Sequence, residues 1–229
     1  MLVIANFGGP RSLDEIEPFL CALLCDKSVI RTRLPAPLHN ILFRRIAKRR
    51  ALTIKKDYEA IGGKSPIFDD TEAIAEALQA VAFHRYLSAT HEDFLHKIQS
   101  ASAERITLFP MFPQYCSATT GSIARFFSRR LPEAVLRKLR WIKSYASHPA
   151  YIRCMQQTVR ECLVEHQLQE EHTAILYSAH GIPQAFVASG DLYQEECERS
   201  FKKIAAAFPR SLSRLCYQSK FGPGEWLRP

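Results

Sequence analysis

The chain has 229 residues, 47% of them hydrophobic and 24% charged, and this length and composition exclude a disordered or fibrous protein. Seven cysteines without regular spacing argue against a disulfide-stapled secreted scaffold, and no apolar run approaches the roughly 20 residues that span a bilayer, so we expect a soluble, cytoplasmic protein. The net charge of +8 comes from residues 31–56, whose nine basic and no acidic residues suit an anionic small molecule, a membrane surface, a nucleic acid or simply a solvated helix face.

Short apolar runs, each leading into a polar or glycine-containing turn, predict β-strands. In chain order they cover residues 2–5, 106–109, 140–143, 173–177 and 214–217. Amphipathic segments between these runs predict helices. The first predicted helix follows Ser12 and Glu15, which stand at capping-box spacing, and the second runs from Pro37 to about Ala60. The third is capped at residues 69–71 and has Ile74, Leu78 and Val81 on one face. The fourth begins at Pro149, and the fifth carries Tyr193, Cys197, Phe201 and Ile204.

The order of these elements predicts the fold class. Strands that alternate with helices are typical of parallel sheets covered on both faces, so the sequence predicts an α/β protein. A break in the pattern near residues 130–140 suggests two halves, residues 1–135 and 136–229, that face a shared cleft. Because ligands of open α/β sheets bind beyond the carboxyl ends of the strands, the segments that follow the strands should converge on a ligand.

Several common catalytic signatures are absent from the sequence. Residues 63–65 imitate the end of a phosphate-binding P-loop, but Tyr58 stands where that loop needs a glycine. The sequence holds no G-x-G-x-x-G motif after a strand, no G-x-S-x-G nucleophile elbow and no pair of C-x-x-C motifs. A dinucleotide site, an α/β-hydrolase nucleophile and a structural zinc site therefore have no support.

One histidine and a set of aromatic residues occupy the segments after the strands. His180 directly follows a predicted strand and precedes Gly181, where its imidazole could accept a proton, bind a metal ion or serve as a hydrogen-bonded structural residue. The aromatic residues either form a flat apolar wall for a planar ligand or belong to the core. They are Phe7, Phe112, Tyr115, Phe221 and Trp226.

Five motifs, in order along essentially the whole chain, resemble those of the ferrochelatase family. They are NFGGP from Asn6, YEAIGGKSPI from Tyr58, PQYCSATTGS ending at Ser122, SAHGIP from Ser178 and QSKFGPGEWLRP from Gln218. The family inserts Fe²⁺ into a porphyrin in the closing steps of haem synthesis and is a lyase that forms metal–nitrogen bonds. The resemblance implies the chelatase fold, with two Rossmann-like halves of parallel sheet and helices and an active site between them.

The resemblance also implies roles for individual residues. His180 corresponds to the family's active-site histidine, which abstracts pyrrole protons or binds the Fe²⁺ substrate. Arg50, in the basic segment, could hold a porphyrin propionate. The porphyrin, protoporphyrin IX or coproporphyrin III, is expected to contact Phe7, Arg50, Tyr58, Ser65, Arg85 and Tyr115.

Two departures from the family pattern carry expectations of their own. The motifs of the family continue beyond Trp226, so the second half is expected to be incomplete, to lack the acidic residue opposite His180 and to turn over poorly. Some relatives bind an iron–sulfur cluster through a cysteine whose position here holds Ser117, with Cys116 one place earlier. We therefore expect no cluster and no required cofactor, with Fe²⁺ acting only as substrate.

Other functions compete with this one. A related chelatase would insert cobalt into a tetrapyrrole, and a non-catalytic module would bind porphyrin or haem without metallating it. A nucleic-acid-binding protein rests only on residues 31–56 and ranks last, because no recognition pattern accompanies the charge. The apolar product and the basic segment also suggest a peripheral membrane contact.

Overall fold

The structure, a computed structural model, describes residues 1–220 and 224–228, so the predicted aromatic residue Phe221 lies outside the described residues. The chain divides into two compact units. The N-terminal unit comprises Met1–Phe112 and Ser117–Lys143, and the C-terminal unit comprises Pro113–Cys116 and Ser144–Pro229. The chain therefore leaves the N-terminal unit for a short segment before it returns.

A parallel sheet forms the centre of the N-terminal unit. Its strands are β1 (Leu2–Asn6), β2 (Val81–His84), β3 (Ile106–Pro110) and β4 (Leu139–Trp141). They are arranged in the order β2-β1-β3-β4, so that Val3 lies between Val81 and Leu108. The apolar sequence of β1 is buried almost throughout, as expected of a central strand covered on both faces.

The N-terminal unit also contains several helices. They are α1 (Ile16–Leu24), α2 (Ala36–Ala60), α3 (Ile67–Ala77), α4 (His91–Ser100), α5 (Thr120–Arg130) and α6 (Glu133–Leu136). Phe94 of α4 and Phe127 of α5 pack with Val3 and Leu108 in one buried cluster. Helix α3 packs against β1 and β2, and α1 pairs with α2 in a second cluster that contains Tyr86.

The C-terminal unit contains a smaller parallel sheet. Within its described residues, β5 (Ala174–His180) pairs with β6 (Leu212–Gln218) along the full length of both strands. The helices of this unit are α7 (Pro149–Glu165), α8 (Gln184–Ala188) and α9 (Tyr193–Ala205). Ile175 and Tyr177 of β5 pack against Ile152 of α7 and Ile204 of α9. Alternate residues of β5 are exposed, so one face of this sheet carries the core.

The predicted fold class is confirmed, because the chain is α/β with a parallel sheet flanked by helices. The prediction missed several elements, namely β2, α4, α5, α6 and α8. The prediction that Val81 lies on the face of a helix is wrong, because α3 ends at Ala77 and Val81 begins β2. Gln79 adopts a φ of 50°, and the amide of Ala80 donates to the carbonyl of Ala75 at 2.7 Å, which closes the helix.

The predicted capping box at the start of α1 is also wrong. The side chain of Ser12 makes no capping hydrogen bond. The carboxylate of Glu15 instead accepts the backbone amide of Arg11 at 2.8 Å and its guanidinium. An ion pair with a neighbouring arginine has therefore replaced the reciprocal bond that the spacing predicts.

Helix α2 carries most of the basic segment and leaves apolar side chains in solvent. Leu38, Ile41 and Leu52 are 55%, 53% and 75% exposed, whereas Ala47 and Ala51 are buried against the rest of the unit. Among the residues described, none of the helices combines the length and the apolar character that a membrane-spanning segment requires. Helix α2 is thus a surface helix with a narrow buried face.

Candidate active site

His180 is the last residue of β5 and pairs with Gln218 of β6. The residue is exposed and lies at the edge of a cavity of about 430 Å³. Neighbouring atoms partly desolvate the imidazole, which lowers the pKa of His180 below its ordinary value of 6.5. The imidazole is therefore mainly neutral at pH 7, with a ring nitrogen able to accept a proton or bind a metal ion.

The loop after His180 is held by backbone pairing. The amide of Gly181 donates to the carbonyl of Gln218 at 2.7 Å, and the amide of Leu227 donates to the carbonyl of Ile182 at 3.0 Å. A Cβ atom on Gly181 would lie 3.0 Å from that Gln218 oxygen, so the close approach favours glycine. The indole Nε1 of Trp226 is buried there without a hydrogen-bond partner among the described residues.

The cavity beside His180 is lined by β5, α7 and α9. Tyr177 and Met155 contribute aromatic and apolar surface, and Tyr193 and Cys197 contribute a hydroxyl and a thiol. Burial raises the pKa of Cys197 to about 11, so this thiol is protonated at neutral pH. The walls are therefore mostly uncharged, which suits an apolar ligand.

A buried carboxylate holds the Pro113–Cys116 segment on the C-terminal unit. The backbone amide of Tyr115 donates to Oε2 of Glu196 at 2.6 Å, and the hydroxyl of Ser144 donates to the same oxygen at 2.6 Å. The side-chain amide of Gln114 donates to Oγ of Ser200 at 2.9 Å. The position of Tyr115 is therefore fixed by its backbone, and its side chain is half-buried.

Phe7 lies in the turn after β1, within the cluster formed by α1 and α2. Its ring centroid is 4.6 Å from that of Tyr86 and 6.3 Å from that of Phe19, both in edge-to-face geometry. Tyr58 also packs against this cluster, and burial raises the pKa of its hydroxyl. Phe7 and Tyr58 are both partly buried, so each keeps some ring surface accessible.

Ser65 lies against the glycine turn that follows Phe7. The amide of Ser65 donates to the carbonyl of Pro10 at 2.8 Å. A Cβ atom on Gly9 would lie 2.6 Å from the Cβ of Ser65, a distance that real side chains do not adopt. The glycine is therefore required for the two segments to touch.

Arg50 and Arg85 occupy different parts of the N-terminal unit. Arg50 is half-buried on α2, next to the buried Ala51. Arg85 follows β2, where its Nη2 donates to Asp26 at 2.7 Å and its Nε donates to Oγ of Ser122 at 2.9 Å. The Arg85 side chain is thus anchored at two of its nitrogens.

A second cavity, of about 780 Å³, lies in the N-terminal unit and is strongly basic. Asp26 is the one acidic residue that lines it in the part of the chain described, and it is already paired with Arg85. The basic residues that line it are Lys27, Arg31, Arg85, Arg125, Arg129 and Arg130. Such a cavity attracts carboxylate or phosphate groups, which arginine binds in bidentate geometry.

The residues that the sequence singles out fall into two groups. The first, in the N-terminal unit, consists of Phe7, Arg50, Tyr58, Ser65 and Arg85. The second, in the C-terminal unit, consists of Tyr115 and His180. Residues 1–220 and 224–228 contain no cluster of three or more His, Cys, Asp or Glu side chains placed to hold a metal ion.

Sequence reasoning does not identify Asp26 and Glu196, two carboxylates that each accept several hydrogen bonds. The side chain of Asp26 accepts the amide of Ser28 at 2.7 Å, and an Asp-x-Ser turn of this kind is a detectable signal. Glu196 offers no such signal, because Tyr115 and Ser144 lie far from it in the sequence. Both carboxylates contact residues proposed from the sequence or their neighbours.

Comparison with known proteins identifies the family. A sequence model described as ferrochelatase matches residues 1–229. Ferrochelatases of Chlamydia caviae and Chlamydia trachomatis serovar D are both 42% identical to the chain, and that of Chlamydia abortus is 40% identical. In each case the match covers 99% of this chain and 72% of the relative. The chain therefore belongs to the ferrochelatase family.

Proposed function

We propose that this chain inserts Fe²⁺ into a carboxylate-bearing porphyrin, as ferrochelatases do. The observation that carries the proposal is His180, a neutral imidazole at the carboxyl end of β5 beside a mostly uncharged cavity. Family membership over residues 1–229 supports the same reaction and disfavours the cobalt-chelatase and non-catalytic alternatives.

The reaction exchanges two protons for one metal ion. Two pyrrole N–H bonds break, the Fe²⁺ ion sheds water, and four nitrogen atoms bind the metal, so the dianionic macrocycle balances the charge of the cation. Neutral His180 accepts one of these protons on a ring nitrogen and passes it to solvent, to which the other proton also goes. Binding of Fe²⁺ by the same nitrogen is the alternative role, and both roles require the neutral ring.

The proposed porphyrin contacts follow from the chemistry of each side chain. Phe7 and Tyr58 offer partly exposed aromatic surface to the flat macrocycle, as does Tyr115. Arg50 and Ser65 offer a guanidinium and a hydroxyl to a propionate.

The basic cavity supports a porphyrin with carboxylates. Arg85 lines it together with Arg125, Arg129 and Arg130. Guanidinium groups bind carboxylates through paired, charge-assisted hydrogen bonds, so several propionates could be neutralised there. A dicarboxylic and a tetracarboxylic porphyrin both meet this requirement.

The test is anaerobic metallation. Purified chain is mixed with protoporphyrin IX or coproporphyrin III, and Fe²⁺ is added while the Soret band and the porphyrin fluorescence are followed. The proposal predicts loss of fluorescence and a metalloporphyrin spectrum with at least one porphyrin. Fluorescence quenching without metallation would support the binding module, and turnover with Co²⁺ but not Fe²⁺ would support the cobalt chelatase.

We further propose that the chain holds no iron–sulfur cluster and needs no cofactor. Cys116 is buried, with its thiol 3.7 Å from a carboxylate oxygen of Asp191, and a serine occupies position 117. Spectra of anaerobically purified protein are expected to lack sulfide-to-iron absorption. Such bands, removed by chelator, would contradict this proposal.

We also propose a cytoplasmic location. None of the seven cysteines, all of them among the described residues, forms a disulfide bond, as is usual in reducing compartments. Fractionation of cells that express the tagged chain, with a periplasmic and a cytoplasmic marker enzyme as controls, tests this directly.

A peripheral membrane contact is proposed on α2. One face of this helix, called the α2 stripe, combines exposed apolar and basic side chains at helical spacing. It consists of Leu38, Ile41, Leu42, Arg45, Arg49 and Leu52. Apolar side chains beside arginines suit the interface of an anionic bilayer, and the apolar haem product would leave the enzyme near lipid.

Vesicle sedimentation tests the α2 stripe. The chain is expected to sediment with vesicles of phosphatidylglycerol and phosphatidylcholine but not with phosphatidylcholine alone. Replacement of Leu38, Ile41 and Leu52 by serine should abolish this. A matched variant with Val164 and Leu168 replaced by serine, two exposed apolar residues of the C-terminal unit, should sediment like the unmodified chain. Equal sedimentation of both variants would contradict the proposal.

A further inference from the structure

Asp26 collects hydrogen bonds from separate parts of the N-terminal unit. Its Oδ1 accepts the backbone amide of Ser28 at 2.7 Å. Its Oδ2 accepts Nη2 of Arg85 at 2.7 Å, the hydroxyl of Tyr86 at 3.0 Å and the hydroxyl of Ser122 at 2.5 Å. The Asp26 side chain is only 11% exposed and that of Arg85 is 15% exposed. One buried carboxylate therefore joins the α1–α2 loop, the segment after β2 and the start of α5.

This carboxylate is ionised at neutral pH. Burial alone would raise the pKa of Asp26, but hydrogen bonds from Ser122 and Ser28 and the charge of Arg85 hold it below its ordinary value of 3.8. A buried anion keeps its hydrogen-bond donors in place more strongly than a neutral acceptor does. The geometry of the four donors thus depends on the negative charge.

The contacts continue from Asp26 to the proposed porphyrin residues. The guanidinium of Arg85 lies 4.6 Å from the ring centroid of Tyr86 and 5.1 Å from that of Phe126. The ring of Tyr86 is in turn 4.6 Å from that of Phe7. Asp26 therefore contacts one proposed porphyrin residue, Arg85, directly and a second, Phe7, through Tyr86.

The arrangement leaves Arg85 able to bind a second anion. Its Nε is used by Ser122 and one Nη2 hydrogen by Asp26, while a guanidinium has five N–H donors. Arg85 also lines the basic cavity, and Ser122 and Asp26 together use only two of its N–H donors. Fixed in this way, the side chain loses less conformational entropy when a carboxylate arrives.

We infer that Asp26 is a positioning residue of the porphyrin site, which orients Arg85 and, through Tyr86, Phe7. This inference rests on the proposed function, and it assigns Asp26 no contact with the reacting atoms. The role predicts an effect on porphyrin binding rather than on the chemical step. Loss of a residue that only stabilised the fold would not weaken porphyrin binding while leaving the chemical step unchanged.

The main experiment uses Asp26→Asn in the full chain. The amide nitrogen cannot accept the donors that surround the carboxylate, so the Kd and KM for porphyrin are expected to rise about tenfold, with kcat changed less than about threefold. Asp14→Asn, at an exposed carboxylate of the same unit, is the matched control and should leave all three values unchanged. Unaltered porphyrin affinity in folded Asp26→Asn would overturn the inference.

A double-mutant cycle tests the path through Arg85. If Asp26 acts largely by orienting that side chain, Asp26→Asn should weaken porphyrin binding much less in an Arg85→Ala background than in the unmodified chain. Fully multiplicative losses would mean that the two residues act independently and would refute the positioning role.

Two further measurements keep the result interpretable. Phenylglyoxal labelling of the porphyrin-free protein with peptide mass mapping should show Arg85 more reactive in Asp26→Asn, relative to the exposed Arg153 of the C-terminal unit. Unchanged labelling would contradict the inference, whereas failure of the unmodified chain to bind porphyrin would contradict only the proposed function. If Asp26→Asn does not fold, Ser122→Ala is used instead, because it removes one hydrogen-bond donor to Asp26. This variant should raise the Kd for porphyrin about threefold, and an unchanged Kd would overturn the inference.

Discussion

The two sheets of this chain are built on the same parallel pairing but are buried to very different degrees. In β1 nearly every residue is buried, because strands flank it on both sides and helices cover both faces. In β5 burial alternates, and on the open face Leu176 of β5 and Leu212 of the paired β6 are 66% and 56% exposed. A parallel strand is therefore buried on both faces in the N-terminal unit and on only one face in the C-terminal unit.

The two sheets also differ in the exposure of the histidine that each carries in a strand. His180 ends β5, is exposed like Leu176, and lines the cavity at the carboxyl end of that strand. The N-terminal sheet has no such histidine in a strand, since His84 of β2 is buried and hydrogen-bonded to Glu72. The well-covered sheet thus forms a core, whereas the open sheet carries the histidine that we propose as the reactive group.

The largest expected effect concerns the apolar cores. Leu108→Ala, at a fully buried residue of β3, should lower the free energy of unfolding by about 2–5 kcal/mol. Leu176→Ala, on the open face of β5, should change it by less than about 0.5 kcal/mol.

Each unit has its own fluorescent reporter for this test. Trp141 packs in the N-terminal core and Trp226 lies in the C-terminal unit, so Trp226→Phe and Trp141→Phe variants each leave one reporter. Urea unfolding of the leucine variants is then followed in each background. If Leu176→Ala lowered the free energy of unfolding as much as Leu108→Ala, the two sheets would not differ as their burial implies.

A smaller effect is expected at the polar anchor of the C-terminal unit. Glu196→Ala removes the acceptor of the Tyr115 amide and one of the two acceptors of the Ser144 hydroxyl, and should cost about 1–3 kcal/mol. Glu196→Gln keeps an oxygen acceptor and should cost less. The exposed Glu195→Ala serves as control, and urea unfolding read by Trp226 is the measurement. Equal stability of Glu196→Ala and Glu195→Ala would show that the carboxylate does not anchor the segment.

The smallest predicted effect is a shift in pH dependence. Because partial burial lowers the pKa of His180 below 6.5, the imidazole stays neutral at pH 7 and becomes protonated only as the pH falls further. Metallation is therefore expected to be constant from pH 8 to about pH 7 and to decline on acidification with a midpoint below 6.5. Porphyrin affinity measured at each pH is the control. A midpoint above 6.5 would contradict the neutral-base role.

Much of the fold could be predicted from local sequence. The apolar runs at residues 2–5 and 106–109 are β1 and β3, and Pro149 begins α7 as expected. Strand β2 could not be predicted, because it is only four residues long and Val81 continues the helical spacing of Leu78. Short strands next to amphipathic helices are ambiguous to any argument from periodicity.

The candidate site was predictable in part for a related reason. His180 follows a strand that the sequence predicts, and the carboxyl end of a strand is a place where ligands bind. Asp26 could not be found as an anchor, because Arg85 and Ser122 lie 59 and 96 residues away from it in the sequence. Local patterns predict which strand, helix or loop a residue belongs to, but the partners of a buried charge depend on the tertiary fold.

The most direct test of the account is the metallation rate of His180→Ala with Fe²⁺ under anaerobic conditions. The account predicts porphyrin affinity within about twofold of the unmodified chain and a rate at least about 100-fold lower, the usual range for loss of a general base. His166→Ala, at an exposed histidine of the same unit, should retain full activity. Efficient iron insertion by His180→Ala would contradict the central role of this imidazole.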